Sequence, residues 1–296
     1  MRHIAVDIKI AHSVFALPFA LLAACMAEAG TSGSIDWERF IPALLLVILA
    51  MIFARSAAML ANRLLDHRID AGNPRTAGRA IPSGRLPVRH AGIALAACIG
   101  LFLLTCLGFL LVNDNAWPII LALPVLAWIC LYPLSKRFTW LCHAWLGLSL
   151  ALSPLAAALA VSPEALMQQP SLWFLAGMVL VWVTGFDVLY ALQDIDIDRT
   201  QGLQSMPSVL GASTAIWLSR LLHAIAIGLL FLIYSVDTRL DALFLVAAFA
   251  ATALLLWEHV LIARYGTSRI TLAFFTLNGI VSCLLGLFGI IDVFTG

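Results

Sequence analysis

Long apolar runs separated by short polar intervals dominate this chain. A helical bilayer crossing takes about 20 mostly apolar residues. Nine runs meet that length: Ile10–Ala29, Ile41–Leu60, Ala91–Val112, Trp117–Leu134, Leu141–Val161, Ser171–Tyr190, Ala212–Tyr234, Leu240–Ala263 and Thr271–Phe294. The short alternating segments of a membrane β-barrel are absent from the sequence. The pattern predicts an all-α fold, a polytopic membrane bundle of about nine transmembrane helices, with residues 1–296 as a single domain. Pro18, Pro124 and Pro154 fall inside runs and are expected to kink them, with neighbouring helices re-satisfying the freed carbonyls. The first run follows Arg2, His3, Asp7 and Lys9 without a small-residue cleavage pattern, so it reads as a retained helix.

Composition agrees: 62% of residues are apolar and 11% charged, with a mean hydropathy of +1.01. A soluble domain carries about 25% charged residues. The net charge of +1 points to no nucleic-acid partner, and no obligate protein partner is expected. The distribution of charge says more. With the N-terminus inside, the inner segments hold Arg2, Lys9, Arg63, Arg68, Arg75, Arg79, Arg85, Arg89, Lys136, Arg137, Arg199, Arg264 and Arg269, while the outer loops hold only Arg39 and Arg239. This bias predicts cytoplasmic inner loops and a C-terminus outside; residence in a bacterial inner membrane is expected. The outer connections (Thr31–Arg39, Asn113–Asn115, Ser162–Pro170 and Asp237–Arg239) read as short and featureless.

Two acidic stretches stand at the inner ends of apolar runs: Asn62 through Asp66 to Asp70, and Asp187 through Tyr190 and Asp194 to Asp198. Carboxylates beside a bilayer core are costly unless paired. Asn62, Asp66 and Asp70 are spaced by four, and Asp187, Tyr190, Asp194 and Asp198 by three, four and four, so each set is expected to share one helix face, with Asp196 pointing elsewhere. Like charges four apart repel, and two such stripes at one membrane side call for a cation between them. Mg²⁺ suits the site, because it takes a few carboxylates together with phosphate oxygens and water.

The loop from Asp66 to His90 carries Gly72, Pro74, Gly78, Pro82, Gly84 and Pro87, which predicts a shaped loop rather than a continued helix. Arg75 and Arg79 lie beside the first stripe and are candidate phosphate ligands, as are Lys136 and Arg137 at the end of the fourth run, after Tyr132. Arg85 and Arg89 are expected to face headgroups or solvent. His12, His143, His223 and His259 lie within or near apolar runs and read as helix contacts without a chemical role. The six cysteines form no CxxC pair and read as small membrane-helix residues.

The ordered motifs resemble those of the UbiA superfamily of intramembrane aromatic prenyltransferases. Asn62-Arg63-Leu64-Leu65-Asp66-His67-Arg68-Ile69-Asp70 matches its NxxxDxxxD signature, and Asn73-Pro74-Arg75-Thr76-Ala77-Gly78-Arg79 continues it. Asp187 through Asp198, followed by Gly202–Pro207, resembles the second motif; Tyr132 through Lys136-Arg137 resembles the tyrosine–lysine segment. Residues Ile8–Ala20 resemble the usual first helix. The resemblance implies a central cavity in which Mg²⁺, held by Asn62, Asp66, Asp70, Asp187, Asp194 and Asp198, bridges to a polyprenyl diphosphate. Arg75, Arg79, Lys136 and Arg137 would neutralise the diphosphate. Tyr132 and Tyr190 would face an allylic cation, and Arg63 or Arg137 would pair with the carboxylate of an aromatic acid. The implied acceptor is 4-hydroxybenzoate, as in ubiquinone synthesis, with 1,4-dihydroxy-6-naphthoate of menaquinone synthesis as the alternative. A reading from another class, a transporter of an anionic solute, predicts acids near the bilayer midplane on broken helices.

Overall fold

A computed structural model describes residues 15–30, 35–270 and 272–295. The Ile8–Ser13 part of the first-helix resemblance, and the N-terminal charges, lie outside the described residues. Nine principal helices occur among the described residues: α1 Leu17–Ala29, α2 Trp37–Ala71, α3 Val88–Asn113, α4 Trp117–Ser135, α5 Cys142–Val161, α6 Pro170–Ala191, α7 Ala212–Val236, α8 Ala242–Tyr265 and α9 Asn278–Thr295. Among the described residues, eight helical segments are long and apolar enough to cross a bilayer, and Leu17–Ala29 is a shorter apolar helix. The protein is an integral membrane protein.

Helix α6 lies at the centre, packed between α5 and α7, while α1 packs on α5 and α9. Small residues make these approaches possible: within lipid no hydrophobic effect drives helices together, and close van der Waals packing takes its place. Gly147 of α5 is one such point: a Cβ there would stand 2.5 Å from the Leu180 carbonyl oxygen and 2.3 Å from Thr184 Oγ1. Backbone cannot yield as a flexible side chain does. Gly147→Ala is therefore expected to push α5 from α6 and lower stability by about 1–3 kcal/mol, read as a lower midpoint of thermal unfolding in detergent. Large apolar side chains such as Leu104, Leu111 and Trp217 instead point outward and stay exposed, as a lipid-facing surface requires.

Pro124 and Pro154 do lie inside helices, as does Pro133, but Pro18 stands in the first turn of α1 as described.

The end of the bundle away from the acidic stretches is not featureless. Arg239 donates from Nη1 to the carbonyls of Met26 (2.7 Å) and Gly30 (2.8 Å), closing the C-terminus of α1. Its Nη2 donates to Gln169 Oε1 at 2.9 Å and to Asp237 Oδ2 at 2.7 Å. Ser171 Oγ also donates to Asp237, at 2.7 Å. Asn115 Nδ2 donates to the Leu159 carbonyl at 2.7 Å, and Asp292 accepts from the Asp241 and Phe244 amides at the start of α8. Helix ends leave backbone groups without partners, and in this apolar setting side chains from neighbouring helices satisfy them.

Candidate active site

The first acidic stripe exists because α2 continues beyond the apolar run, as far as Ala71. Asn62, Asp66 and Asp70 follow one another a turn apart, and both carboxylates are buried. The chain then turns repeatedly through residues 72–87, where Gly and Pro prevent a helix. Asn73 shapes the first turn by accepting the Arg75 amide at its Oδ1 (2.9 Å), and Thr76 Oγ1 donates to the Asp70 carbonyl (3.0 Å). Arg85 and Arg89 are exposed, as expected.

The second stretch departs from its expected single face. Helix α6 ends at Ala191, residues Leu192–Asp194 form a 3₁₀ turn, and a short helix covers Ile195–Thr200. The tighter turn breaks the four-residue spacing between Tyr190 and Asp194. Asp194 meets the loop after α2, Asp198 is half-buried and Asp196 is exposed.

Side-chain bonds then join the stretches across more than a hundred residues of chain. Arg75 grips Asp194 with a fork, Nε to Oδ1 at 3.0 Å and Nη2 to Oδ2 at 2.5 Å, while its Nη1 donates to the Tyr190 hydroxyl at 3.1 Å. Asn73 Nδ2 donates to the same carboxylate at 3.1 Å. Burial works against the Arg75 charge, but the bonds and charge of Asp194 outweigh it and raise its pKa above the ordinary arginine value. Gln201 Nε2 donates to the Ile69 carbonyl at 3.2 Å, tying the second stretch to the end of α2.

The end of α4 completes the group. Asn62 Nδ2 donates to the Tyr132 hydroxyl. Lys136 Nζ lies 2.6 Å from Asp66 Oδ2, and Arg137 Nη2 donates to the Leu65 carbonyl at 2.5 Å and to Asp66 Oδ1 at 3.3 Å. Arg79 Nη1 bridges both oxygens of Asp70 at 2.7 Å. The amide of Gln204 donates to the Lys136 carbonyl at 2.7 Å, fastening the Gly202–Pro207 segment to α4. Tyr190 packs its ring on Phe274, with centroids 4.2 Å apart.

Asp187 has a partner on α5. Its Oδ2 lies 2.7 Å from His143 Nδ1, and the histidine is buried on α5. His143 is thus a hydrogen-bonding contact between α5 and α6, in keeping with its reading as a helix contact, although the sequence did not name its partner. Arg63 is buried one turn before Asp66. Asn73 was also missed; its place between the acidic stripe and Arg75 was the available signal.

Among the described residues, no three His, Cys, Asp or Glu side chains gather at metal-binding distance. The side-chain cations hold the carboxylates instead. Asp66, Asp70 and Asp194 each have an arginine or lysine partner. The donor chemistry fits Mg²⁺, being carboxylate and amide oxygen throughout. The neighbouring guanidinium and ammonium groups suit phosphate oxygens. A magnesium diphosphate can thus exchange partners with existing pairs: metal to carboxylates, phosphates to cations.

Residues 16–280 match the UbiA prenyltransferase family. The chain belongs to this family. It is 31% identical over 176 residues to a 4-hydroxybenzoate octaprenyltransferase of Aliivibrio salmonicida, a match covering 60% of this chain and 58% of that protein. A 4-hydroxybenzoate octaprenyltransferase of Vibrio vulnificus is 30% identical over 259 residues, covering 86% of this chain and 84% of the relative. The apo structure of a UbiA homolog from Aeropyrum pernix aligns with a TM-score of 0.83 at 28% identity, over 96% of this chain and 98% of the other. A UbiA homolog from Archaeoglobus fulgidus, solved with GPP and Mg²⁺, shares the fold with a TM-score of 0.71 at 18% identity, over 99% of this chain and all of that one. The UbiA fold thus accounts for the all-α bundle.

Proposed function

We propose that this protein transfers a polyprenyl group from a polyprenyl diphosphate to the ring of an aromatic acid, with 4-hydroxybenzoate as the acceptor. The observation that carries the reading is the Arg75 bridge, which ties Asp194 and Tyr190 of one acidic stretch to the loop leaving the other. Charged groups sit at helix ends, where a soluble diphosphate head can enter while its tail stays among apolar helices. A transport site would favour broken helices near the midplane. The names of the relatives from Aliivibrio and Vibrio support the acceptor.

Asn62, Asp66, Asp70, Asp194 and Asp198 would hold Mg²⁺, which when bound supplies charge neutralisation at the diphosphate. Arg75, Arg79, Lys136 and Arg137 bind the remaining phosphate oxygens and stabilise negative charge as the allylic C–O bond breaks. The diphosphate departs with the bonding pair. The ring faces of Tyr132 and Tyr190 stabilise the allylic cation. Arg63 or Arg137 pairs with the acceptor carboxylate. The ring carbon beside the hydroxyl attacks, a C–C bond forms, and the ring loses its proton. The fold excludes bulk water, which would otherwise capture the cation. We place the site at the cytoplasmic face of a bacterial inner membrane, with the C-terminus outside.

The test uses purified protein in liposomes with Mg²⁺, a polyprenyl diphosphate and either 4-hydroxybenzoate or 1,4-dihydroxy-6-naphthoate, with products identified by mass spectrometry. Prenylated 4-hydroxybenzoate is expected, and EDTA should abolish it. Product from the naphthoate alone would move the protein to menaquinone synthesis. No product from either would overturn the reading.

A further inference from the structure

His143 is the second residue of α5, at the end of the bundle that holds the acidic stretches. It is buried, and its Nδ1 lies 2.7 Å from Oδ2 of Asp187 on α6. An ionised carboxylate only accepts, so Nδ1 carries the proton and donates it. The helices themselves set this contact. One turn further along α5, Gly147 lets the backbone close on Thr184, which stands one turn before Asp187 on α6. The close approach at Gly147 fixes the spacing at which His143 meets Asp187.

The bond takes up one carboxylate oxygen and leaves the other. Asp187 Oδ1 has no hydrogen bond among the described residues, and the Asp187 side chain keeps 19% of its surface open where that of His143 keeps 7%. Asp187 lies close enough to the Tyr132 hydroxyl for its charge to act there, while Asn62 holds that hydroxyl from α2. Its setting differs from that of the other acids. Asp66, Asp70 and Asp194 are each held by a lysine or arginine that a diphosphate can take over. Asp187 is held by an imidazole, one turn of α6 deeper in the bundle than Tyr190. A carboxylate with one oxygen fixed and one open accepts from a hydroxyl and repels an acid group. Of the two ends of 4-hydroxybenzoate, the hydroxyl end suits it.

We propose that His143 is a positioning residue for the acceptor: by fixing Oδ2 of Asp187 it aims Oδ1 at the acceptor's ring hydroxyl. The proposal rests on the aromatic-acid reading of the function and names what recognises the hydroxyl end. Attack comes from the carbon beside that hydroxyl. A hydrogen bond to Asp187 therefore brings this carbon next to Tyr132, whose ring face meets the allylic cation. The same bond draws the hydroxyl proton toward the carboxylate and enriches the ring in electrons. Arg63 or Arg137 on the acid group fixes the opposite end.

The test compares 4-hydroxybenzoate with benzoate, which lacks the hydroxyl. Equilibrium binding of each radiolabelled acid is measured on the full-length protein in nanodiscs, with geranyl S-thiolodiphosphate and Mg²⁺ present. Wild type is expected to bind 4-hydroxybenzoate at least about tenfold more tightly than benzoate, the discrimination given by a hydrogen bond to a charged group. His143→Leu should bring this ratio near one without changing the affinity for benzoate. His143→Asn keeps an N–H at the position of Nδ1 and should restore the ratio. In turnover, the leucine protein should lose at least about tenfold in kcat/KM for 4-hydroxybenzoate. Its KM for the prenyl diphosphate and its Mg²⁺ requirement should stay unchanged. Equal binding of the two acids by wild type would overturn the proposal, as would an unchanged ratio in the leucine protein. Weaker binding of both acids together would reduce His143 to a structural contact. A shifted Mg²⁺ requirement would put Asp187 on the metal, and either result would also end the proposal. If His143→Leu does not fold, His143→Asn decides: a retained ratio supports the proposal and a lost one overturns it. Failure of the prenyltransferase reading is seen separately, as absence of product from wild type, because the binding ratio is measured without turnover.

Discussion

Replacing Asp66 with alanine is expected to lower prenyl transfer by at least roughly 10²–10³-fold, the loss typical of removing one preorganised electrostatic partner. Asp66 is 2% exposed and meets both Lys136 and Arg137. Its removal leaves two cations without their carboxylate and takes one oxygen ligand from the proposed Mg²⁺ set. The bundle itself is expected to survive, because the apolar packing of α1, α5 and α6 lies away from this residue. Steady-state turnover, with detergent gel filtration to confirm the folded protein, checks both halves. Near-wild-type turnover by a well-folded Asp66→Ala protein would end the assignment of this residue to the metal and diphosphate site.

Arg239→Ala should have the opposite profile, a large loss of stability with the specific activity of the folded fraction preserved. The guanidinium closes the C-terminus of α1 and holds Asp237 and Gln169, all at the end away from the acidic stretches. Truncation leaves Asp237 buried without its charge partner, and breaking such a pair costs about 3–5 kcal/mol. Burial would raise the pKa of Asp237, but its bonds from Arg239 and Ser171 outweigh burial and hold it below the usual carboxylate range. A carboxylate with a depressed folded-state pKa stabilises the fold above its unfolded pKa and loses that contribution as pH falls through the folded value. The wild type should thus lose part of its thermal stability on acidification below the ordinary aspartate range, and Arg239→Ala should lose less over the same interval. Thermal unfolding in detergent across that range reads both effects.

The contrast between these residues shows where sequence reasoning reached and where it stopped. Asp66 could be found because it repeats, with Asn62 and Asp70, at a helical spacing next to an apolar run. Arg239 could not: it is a single cation in the short connection between α7 and α8, and its partners on α1 and before α6 are distant in sequence. The same distinction holds within the site. Arg75 and Arg79 were legible as cations beside an acidic stripe. Asn73 lacked charge to mark it, and His143 stood in an apolar run that gave no hint of Asp187.

The sequence by itself determined the membrane class, the helical fold and the two acidic stretches, because apolar length and four-residue spacing are local properties that a helix displays directly. It also carried the family, through ordered motifs. Only the tertiary structure decided which cation holds which carboxylate, that Asp187 belongs with His143, and that a 3₁₀ turn redirects Asp194 toward Arg75. These depend on how helices far apart in the chain come to lie side by side. The approach distances are set by small residues such as Gly147, and no local spacing in the sequence encodes them.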